Sequence, residues 1–164
     1  MTAINTLYDI IDKDNTNTTI KSLDEINKLC SNNYSGINLL FLNIRSIENH
    51  FPELECLNTA LNQTNHIIIT AESWLGKHTN QNTLSLNNYQ NIISNINVRK
   101  SNGLVLFIRN GIISHNTIEL EIPDANCLFT TLTFNKIKYG TLSAYRSLSG
   151  NIIKFIDNID TIIT

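Results

Sequence analysis

The sequence has little excess charge of either sign. Its 164 residues include 12 Lys and Arg against 14 Asp and Glu, so the formal net charge is -2 and the pI is near 6.0. It therefore lacks the broad positive field that often marks non-specific nucleic-acid binders, and any contact with DNA has to be local. The length and the 41% hydrophobic content suit one globular domain with a sizeable core.

Long apolar runs and secretion signals are also lacking. No window approaches the roughly 20 apolar residues that cross a bilayer. The amino-terminal segment carries a polar Asn and Thr run instead of a basic start followed by an apolar stretch. We therefore expect an intracellular protein without a membrane partner.

Cysteines are few and common cofactor motifs are missing. Cys30, Cys56 and Cys127 are odd in number and widely spaced, which argues against a disulfide framework and against a zinc site and favours free thiols. No GxGxxG segment, P-loop or HExxH spacing occurs, so nucleotide cofactors lose their usual support and the four histidines receive no role.

An α/β pattern opens after a leader or linker assigned to residues 1–36, which includes a possible helix from Ser22 to Cys30. Ile37 to Ile44 has the length of a strand and is apolar enough to be buried on both faces. Phe51 to Leu61 predicts an amphipathic helix with its proline in the first turn, and His66 to Thr70 predicts a second strand. Strand, helix and strand in this order imply parallel neighbours.

The pattern changes after residue 81. Turns at Asn102-Gly103 and Asn135-Lys136 favour antiparallel pairing, and an apolar stripe from Ile152 predicts a last helix. Because this stripe runs uncapped to the final residue, we expect the natural chain to continue. The predicted strands are Tyr89–Ile96, Leu104–Arg109, Cys127–Phe134 and Lys138–Tyr145.

Polar residues follow the two parallel strands. Asn43 ends the first strand and Glu72 follows the second. Ligands collect beyond the carboxyl ends of such strands, so an amide and a carboxylate there could hold a hard cation such as Mg²⁺, which keeps several waters. The residues alone favour a simpler interpretation, in which Asn43 forms a turn and Glu72 is a solvated loop residue.

Other polar and aromatic positions are less specific. Tyr145-Arg146 ends another apolar strand and could bind phosphate oxygen, although a strand-end tyrosine more often packs its ring with the hydroxyl in water. Trp74 is interpreted as a loop anchor fixed by burial rather than as a base-stacking residue. Arg99, Lys100 and Arg109 flank a hairpin and could touch a nucleic-acid backbone, although such residues are usually only solvated.

Four segments taken in order nevertheless resemble one family. They are Leu40–Ser46, Thr70–Leu75, Gly103–Arg109 and Ala144–Ser147. Together they are similar to the endonuclease domain of non-LTR retrotransposons, of the endonuclease/exonuclease/phosphatase type, over roughly Ile37 to Ile163. The resemblance implies a four-layered α/β sandwich related to DNase I and the apurinic endonucleases, with mixed sheets and flanking helices.

The resemblance also implies a DNA-nicking activity that depends on Mg²⁺ or Mn²⁺. By position, Glu72 matches the metal-binding Glu and Asn43 the Asn that supports it. Tyr145 matches the Tyr near the scissile phosphate, and Arg146 the adjoining Arg that binds substrate. The implied partners are a DNA substrate and a reverse transcriptase in the continuing chain, and the implied place of action is the nucleus.

Departures from the family pattern limit this expectation. The GDFN-like and SDH-like segments, which supply the water-orienting and phosphate-contacting groups, do not occur in the sequence. Ser147-Leu148 replaces a proline pair, and Asn102-Gly103 stands where several glycines are usual. We therefore expect residues 37–164 to be the amino-terminal part of such a domain, with little or no nuclease activity by itself.

Three alternatives stay open. A phosphodiesterase or phosphatase of the same superfamily could act on lipid or inositol headgroups. A truncated or domesticated remnant could bind without cleaving. An unrelated α/β scaffold would require the four ordered segments to agree by accident.

Overall fold

Strands outnumber helices in the computed structural model, which describes residues 22–31, 36–76, 79, 81–95, 102–147 and 150–163. A short 3-10 turn at Gln81–Thr83 interrupts a long connection. The helices are α1 (Leu23–Ser31), α2 (Ile47–Ala60) and α3 (Ile152–Ile163). The strands are β1 (Leu39–Asn43), β2 (Ile67–Ala71), β3 (Tyr89–Ile93), β4 (Val105–Arg109), β5 (Ile113–Glu119), β6 (Ala125–Phe134) and β7 (Ile137–Arg146).

The first sheet has the order β1-β2-β4-β3. β1 and β2 are parallel, with Asn43 opposite Ala71, as the strand-helix-strand pattern predicts. β4 runs antiparallel to both β2 and β3. All five residues of β2 are buried, because it is an inner strand that is covered on both faces, and four of the five are β-branched.

The prediction that the first strand is buried on both faces is wrong. Leu39 and Phe41 are 48% and 49% exposed, whereas Leu40 and Leu42 pack into the core beside α2. β1 is an outer strand of this sheet, and the face that carries Leu39 and Phe41 is about half exposed. An edge position therefore explains why only alternate residues of an apolar run are buried.

Helix α2 begins one turn earlier than the sequence predicts. A kink at His50 (φ -116°, ψ 15°) joins a short first piece to the longer piece that contains Pro52. The proline thus lies close to the start of the second piece, where a missing N–H costs little. Ile47 and Leu54 are buried beneath the helix, and the Phe51 ring lies 6.2 Å from that of Phe107 in β4.

The second sheet has the order β5-β6-β7 and is antiparallel throughout. Asn135 and Lys136 both have positive φ (49° and 65°) in the tight turn between β6 and β7, which confirms the predicted hairpin. β5 was not predicted, because its sequence ISHNTIE is mostly polar. It is an edge strand with a register shift between Ser114 and Asn116, so burial does not demand an apolar run there.

Three apolar clusters separate four layers. The first lies between α2 and the first sheet and includes Ile68 and Phe107. The second lies between the two sheets, where Ile69 and Leu106 of the first sheet belong to one cluster with Leu128 and Leu132 of the second. The third joins Cys127 of the second sheet to Phe155 and Ile159 of α3. The fold is therefore a mixed α/β sandwich of helix, sheet, sheet and helix, as predicted.

The proposed leader is described only in part, since residues 1–21 and 32–35 lie outside the described residues. Ser22 and Glu25 form a capping box, in which the backbone N–H of each donates to the side chain of the other. The predicted helix with Ser22 as its cap is thus confirmed, whereas the domain boundary at residue 36 stays a prediction. No helix among the described residues is long and apolar enough to span a membrane.

Candidate functional site

Two loops meet where β1 and β2 end. The Ile44 N–H donates to the carbonyl of Ala71 at 3.0 Å, which prolongs the parallel pairing past Asn43. Ser46 N–H then donates to the Glu72 carbonyl at 2.9 Å, and Ile47 N–H donates to the Ser73 carbonyl at 3.0 Å. The two loops are thus fixed to each other by backbone hydrogen bonds, so the residues that follow both strands are held side by side.

Both loops contain residues in the left-handed region of φ. Arg45 and Ser46 have φ of 46° and 78°, and Glu72 and Trp74 have φ of 51° and 50°. Such values are uncommon for residues other than glycine, and each costs on the order of 1 kcal/mol. Strained backbone persists where surrounding structure enforces it, and it clusters at functional sites. The strained residues therefore mark this corner as a candidate functional site.

The Glu72 loop is also held by hydrogen bonds to the rest of the first sheet and, through Gly103, to the second sheet. The Ser73 hydroxyl is buried and lies 3.0 Å from the Thr70 hydroxyl, and the Ser73 N–H donates to the carbonyl of Gly103 at 3.1 Å. The Gly103 N–H donates in turn to Oδ1 of Asn126, a buried residue of β6, at 3.0 Å. A chain of hydrogen bonds therefore links the loop to the second sheet.

Glu72 is the centre of the side-chain cluster. Its Oε1 accepts a hydrogen bond from Nδ2 of Asn43 at 2.7 Å and a second from the hydroxyl of Tyr145 at 2.9 Å. Tyr145 comes from β7, where it pairs with Asn126. The structure therefore brings together three of the four residues singled out from the sequence, from β1, from the loop after β2 and from β7 of the second sheet.

The charges around Glu72 are few. Nε of Arg45 lies 3.8 Å from Oε2 of Glu72, with the Arg45 side chain 77% exposed and that of Glu72 17% exposed. This ion pair is long and open to water, so it contributes little to stability. Burial, followed by the hydrogen bond to Glu72 and the negative charge of that carboxylate, raises the pKa of Tyr145 to about 12. The phenol is thus a hydrogen-bond donor at neutral pH.

Among the described residues no hydrogen bond joins Arg146 to Asn43, Glu72 or Tyr145, although its positive charge acts to lower the pKa of Tyr145. Its Nη1 donates to the carbonyls of Ser147 and Gly150 at 2.8 Å and 2.6 Å, so this nitrogen holds the segment that leads into α3. A side chain at Gly150 would place its Cβ 2.9 Å from that of Asp124, so the segment is closely packed. Arg146 therefore shapes the connection after β7 in this structure.

The donor set offers oxygen ligands but little negative charge. Glu72 supplies one carboxylate, and the amide oxygen of Asn43 takes no part in its bond to Glu72. Within the described ranges, no three side chains of His, Cys, Asp or Glu come together as a metal-binding group. One carboxylate with one amide fits a hard cation that keeps most of its waters and binds the substrate phosphate, as Mg²⁺ does.

Comparisons with solved structures identify the fold. A humanized TDP2 from D. rerio superposes with a TM-score of 0.61 at 11% identity, over 79% of this chain and 59% of that chain. The D. rerio TDP2 complex with a single-strand DNA product gives 0.58 at 12% identity, over 77% of this chain and 53% of that chain. The 3′ phosphatase NExo from Neisseria, bound to a product DNA hairpin, gives 0.54 at 13% identity, over 75% and 48% of the two chains.

The chain has the DNase I-like fold. It spans little more than half the length of these two TDP2 structures from D. rerio. No protein-family model matches the sequence, and no curated protein matches it either. These likenesses establish the DNase I-like architecture at low sequence identity.

The other candidate residues fall outside this corner of the DNase I-like fold. Arg109 is the last residue of β4 and lies beside the start of β2. Glu72 follows the other end of β2, so the two residues are at opposite ends of the sheet. Burial and the positive charge of Arg109 lower the pKa of His66, whose Nδ1 accepts from the backbone N–H of Asn38. His66 therefore has a structural role. Arg99, Lys100 and His78 lie outside the described residues.

Two residues of the corner were not assigned to the site from the sequence. Arg45 lies beside Glu72 because the backbone makes a left-handed turn after β1. The amino-acid sequence does not predict this turn. Trp74 was expected to be buried and is instead 39% exposed, so that expectation is wrong. Ser73 and Leu75, on either side of it, are the buried residues that anchor the loop.

Proposed function

We propose that the Glu72 corner is a divalent-metal-dependent site for cleaving phosphodiester bonds in DNA, as in the endonucleases of non-LTR retrotransposons. The observation that carries the proposal is the convergence of Asn43 and Tyr145 on one oxygen of Glu72, from separate strands. Two of the similar solved structures are described with bound DNA products, which supports DNA as the substrate class.

Each residue of the corner has a distinct role in the proposal. Glu72, with the amide oxygen of Asn43, would hold Mg²⁺ or Mn²⁺, and Asn43 fixes the orientation of the carboxylate through its Nδ2. The cation supplies positive charge against the reacting phosphate. Tyr145 keeps its proton at neutral pH and donates a hydrogen bond beside the scissile phosphate.

Arg146 is proposed to act on substrate from the edge of the corner. A guanidinium has five N–H donors in a fixed fork, so a phosphate can be bound through groups other than the Nη1 that holds the Ser147 and Gly150 carbonyls. The connection that Arg146 supports would then place the guanidinium next to Tyr145 along the DNA backbone.

We propose that residues 37–164 by themselves cut DNA weakly or not at all, because the water-orienting and phosphate-contacting segments expected from the resemblance do not occur in the sequence. The retrotransposon assignment, with a reverse transcriptase in the same protein and action in the nucleus, belongs to the same proposal. It is supported by the order of the four segments.

The test separates metal binding from cleavage. Isothermal titration with Mn²⁺ should show one weak site in the chain, and Glu72→Gln should lower its affinity at least about tenfold by removing the only carboxylate of the donor set. Glu55→Gln, which neutralises an exposed glutamate of α2, is the matched control and should leave the affinity unchanged. Equal affinities for the Glu72 variant and the control would overturn the metal assignment.

Cleavage is measured on supercoiled plasmid and on an oligonucleotide with a 3′ phosphate. Little nicking in Mg²⁺ together with metal binding at Glu72 is the expected result for this chain. Reproducible nicking that Glu72→Ala abolishes would overturn the proposed inactivity and strengthen the endonuclease assignment. Release of phosphate without nicking would favour a phosphatase, and NExo shows that this DNase I-like architecture includes one.

A further inference from the structure

Trp74 is a large aromatic side chain that the fold leaves open to solvent. Its neighbours Ser73 and Leu75 are 1% and 5% exposed, whereas Trp74 is 39% exposed. An indole contributes a large apolar surface that is usually covered in a folded protein. The exposed indole of Trp74 is therefore a candidate surface for binding.

The loop presents this indole from a fixed backbone. The Trp74 N–H donates to the carbonyl of Asn102 at 2.9 Å, and the preceding Ser73 is held by Gly103 and Thr70. The φ of 50° is an outlier for a residue with an aromatic side chain. Because both neighbours are anchored, the exposure of Trp74 belongs to the folded state and does not reflect a frayed loop.

Trp74 also lies close in the chain to the proposed metal residue. Glu72 and Trp74 flank the buried Ser73, and both have left-handed φ. The exposed Arg45 is paired with Glu72 on the neighbouring loop. A solvent-facing aromatic ring and a solvent-facing guanidinium thus belong to the two loops that hold the carboxylate.

The charge of the chain favours an uncharged contact with DNA. The formal net charge is -2, so the attraction of the whole molecule for a polyanion is small. Affinity for DNA that comes from phosphate contacts rises with the number of Lys and Arg engaged. Stacking of a base on an aromatic ring does not need that charge and is worth about tenfold or more in affinity per base.

We propose that Trp74 stacks on an unpaired nucleobase of DNA bound at the Glu72 corner, so that the chain prefers single-stranded or unpaired DNA to an intact duplex. The preference follows because both faces of a base inside a duplex are already stacked on its neighbours. This inference rests on the proposed function, since it takes DNA as the substrate class.

Trp74 is the only tryptophan of the chain, so intrinsic fluorescence reports on it directly. The chain is titrated in EDTA with a thymidine homo-oligonucleotide and, separately, with a blunt-ended duplex of the same total nucleotide number. We expect the single strand to quench the fluorescence at about tenfold lower concentration than the duplex. We also expect a shallow dependence on salt, because few phosphates are neutralised.

Two variants distinguish stacking from a structural role. Trp74→Ala should weaken binding of a fluorescently labelled thymidine oligonucleotide about tenfold or more, as measured by anisotropy, whereas Trp74→Phe should keep most of the affinity through its ring. Circular dichroism establishes that both variants are folded. Unchanged fluorescence with either DNA, equal quenching by duplex and single strand, or equal affinity of Trp74→Ala and the parent chain would overturn the proposal.

Failure of this proposal is separable from failure of the proposed function. If Glu72→Gln abolishes Mn²⁺ binding while Trp74→Ala binds the oligonucleotide as the parent does, the metal site stands and stacking is wrong. If the oligonucleotide quenches Trp74 while Glu72→Gln leaves Mn²⁺ affinity unchanged, stacking stands and the metal site is wrong.

Discussion

Glu72 uses its two carboxylate oxygens differently. Oε1 accepts short hydrogen bonds from Asn43 and Tyr145, so it is fixed in direction. Oε2 faces only the distant Arg45 guanidinium among the ion pairs of the described residues. A cation that binds Glu72 therefore competes with a weakly held positive side chain rather than with the two neutral donors.

Neutralising Arg45 should tighten metal binding. Arg45→Gln removes the positive charge near Oε2 and keeps a side chain of moderate length, so Mn²⁺ affinity should rise by about threefold to tenfold in isothermal titration. Stability should change by less than about 0.5 kcal/mol, because the ion pair is long and exposed. Arg45→Lys, which keeps the charge, is the control. A lower affinity in Arg45→Gln than in this control would contradict the prediction.

Cys127 gives the stability a dependence on pH at alkaline values. Burial raises the pKa of this thiol to about 11. Above the ordinary pKa of cysteine the unfolded chain loses a proton that the folded chain keeps, so the free energy of unfolding falls as pH rises towards about 11. The contribution is fully present below the ordinary pKa.

Urea unfolding at roughly pH 8 and roughly pH 10.5 measures this fall. We expect a smaller fall in Cys127→Ala than in the parent chain. All other ionisable groups are common to both proteins, so only the difference between the two falls belongs to Cys127. The same fall in both proteins would show that the Cys127 thiol does not contribute.

The residues of the site were predictable to different degrees. Asn43, Glu72 and Tyr145 were candidates because each lies where a strand ends. The residues alone favoured simpler interpretations, and the resemblance of the four segments assigned their roles. Arg45 and Trp74 could not, because their exposure is set by left-handed turns that no residue type in the loops demands. The hydrogen bonds from Nη1 of Arg146 to the carbonyls of Ser147 and Gly150 could not be predicted from the sequence either.

At the scale of secondary structure, the connection before β4 supports the site through one glycine. Gly103 has φ of 108° and is buried against Leu75, whose Cδ1 would lie 3.0 Å from an added Cβ. Its carbonyl and N–H are both used, by Ser73 and by Asn126. Only glycine satisfies this backbone and this contact together.

Gly103→Ala should lower the free energy of unfolding by about 2 kcal/mol or more, from the strained φ and the contact with Leu75. Gly111→Ala is a matched control, since Gly111 has φ of 94° but no heavy atom within 4 Å of an added Cβ. That control should cost about 1 kcal/mol. Equal losses in urea unfolding would show that the Leu75 contact carries no energy.

The elements that sequence reasoning found are the ones with an apolar period. β2 and β4 are continuous apolar runs, and α3 repeats its apolar residues at helical spacing, so their existence and their place in the core followed. The sequence did not predict β5, because an edge strand can be polar. It did not predict the start of α2, because a kink at His50 divides the helix. Local propensity does not register either feature.

At the scale of the whole molecule, the layer order followed from the alternation of strands and helices. The same alternation could not show which strand faces solvent. Leu39 and Phe41 form an exposed apolar pair on an outer strand whose free edge, in the described part of the sheet, presents unpaired backbone groups. Such an edge promotes pairing with another chain.

Phe41→Lys should reduce self-association. Analytical ultracentrifugation of the parent chain should show a second copy joining as concentration rises, whereas Phe41→Lys should stay monomeric with little loss of stability. Gln90→Lys adds the same charge to an exposed position on the other outer strand, β3, and should associate as the parent does. Parent behaviour in the Phe41 variant would exclude this face.

The hydrogen bond from Tyr145 to Glu72 also connects the two sheets. It joins two sheets that also meet through the apolar layer, the Asn126 bond to Gly103 and the hydrogen bonds from the Asn95 N–H to Glu119. Whatever binds across the two side chains binds only while the sheets are docked, so mass action adds to the free energy of unfolding, about 2.7 kcal/mol at a ligand concentration one hundred times Kd. The melting temperature of the molecule therefore reports how much of the Glu72 corner is occupied by ligand.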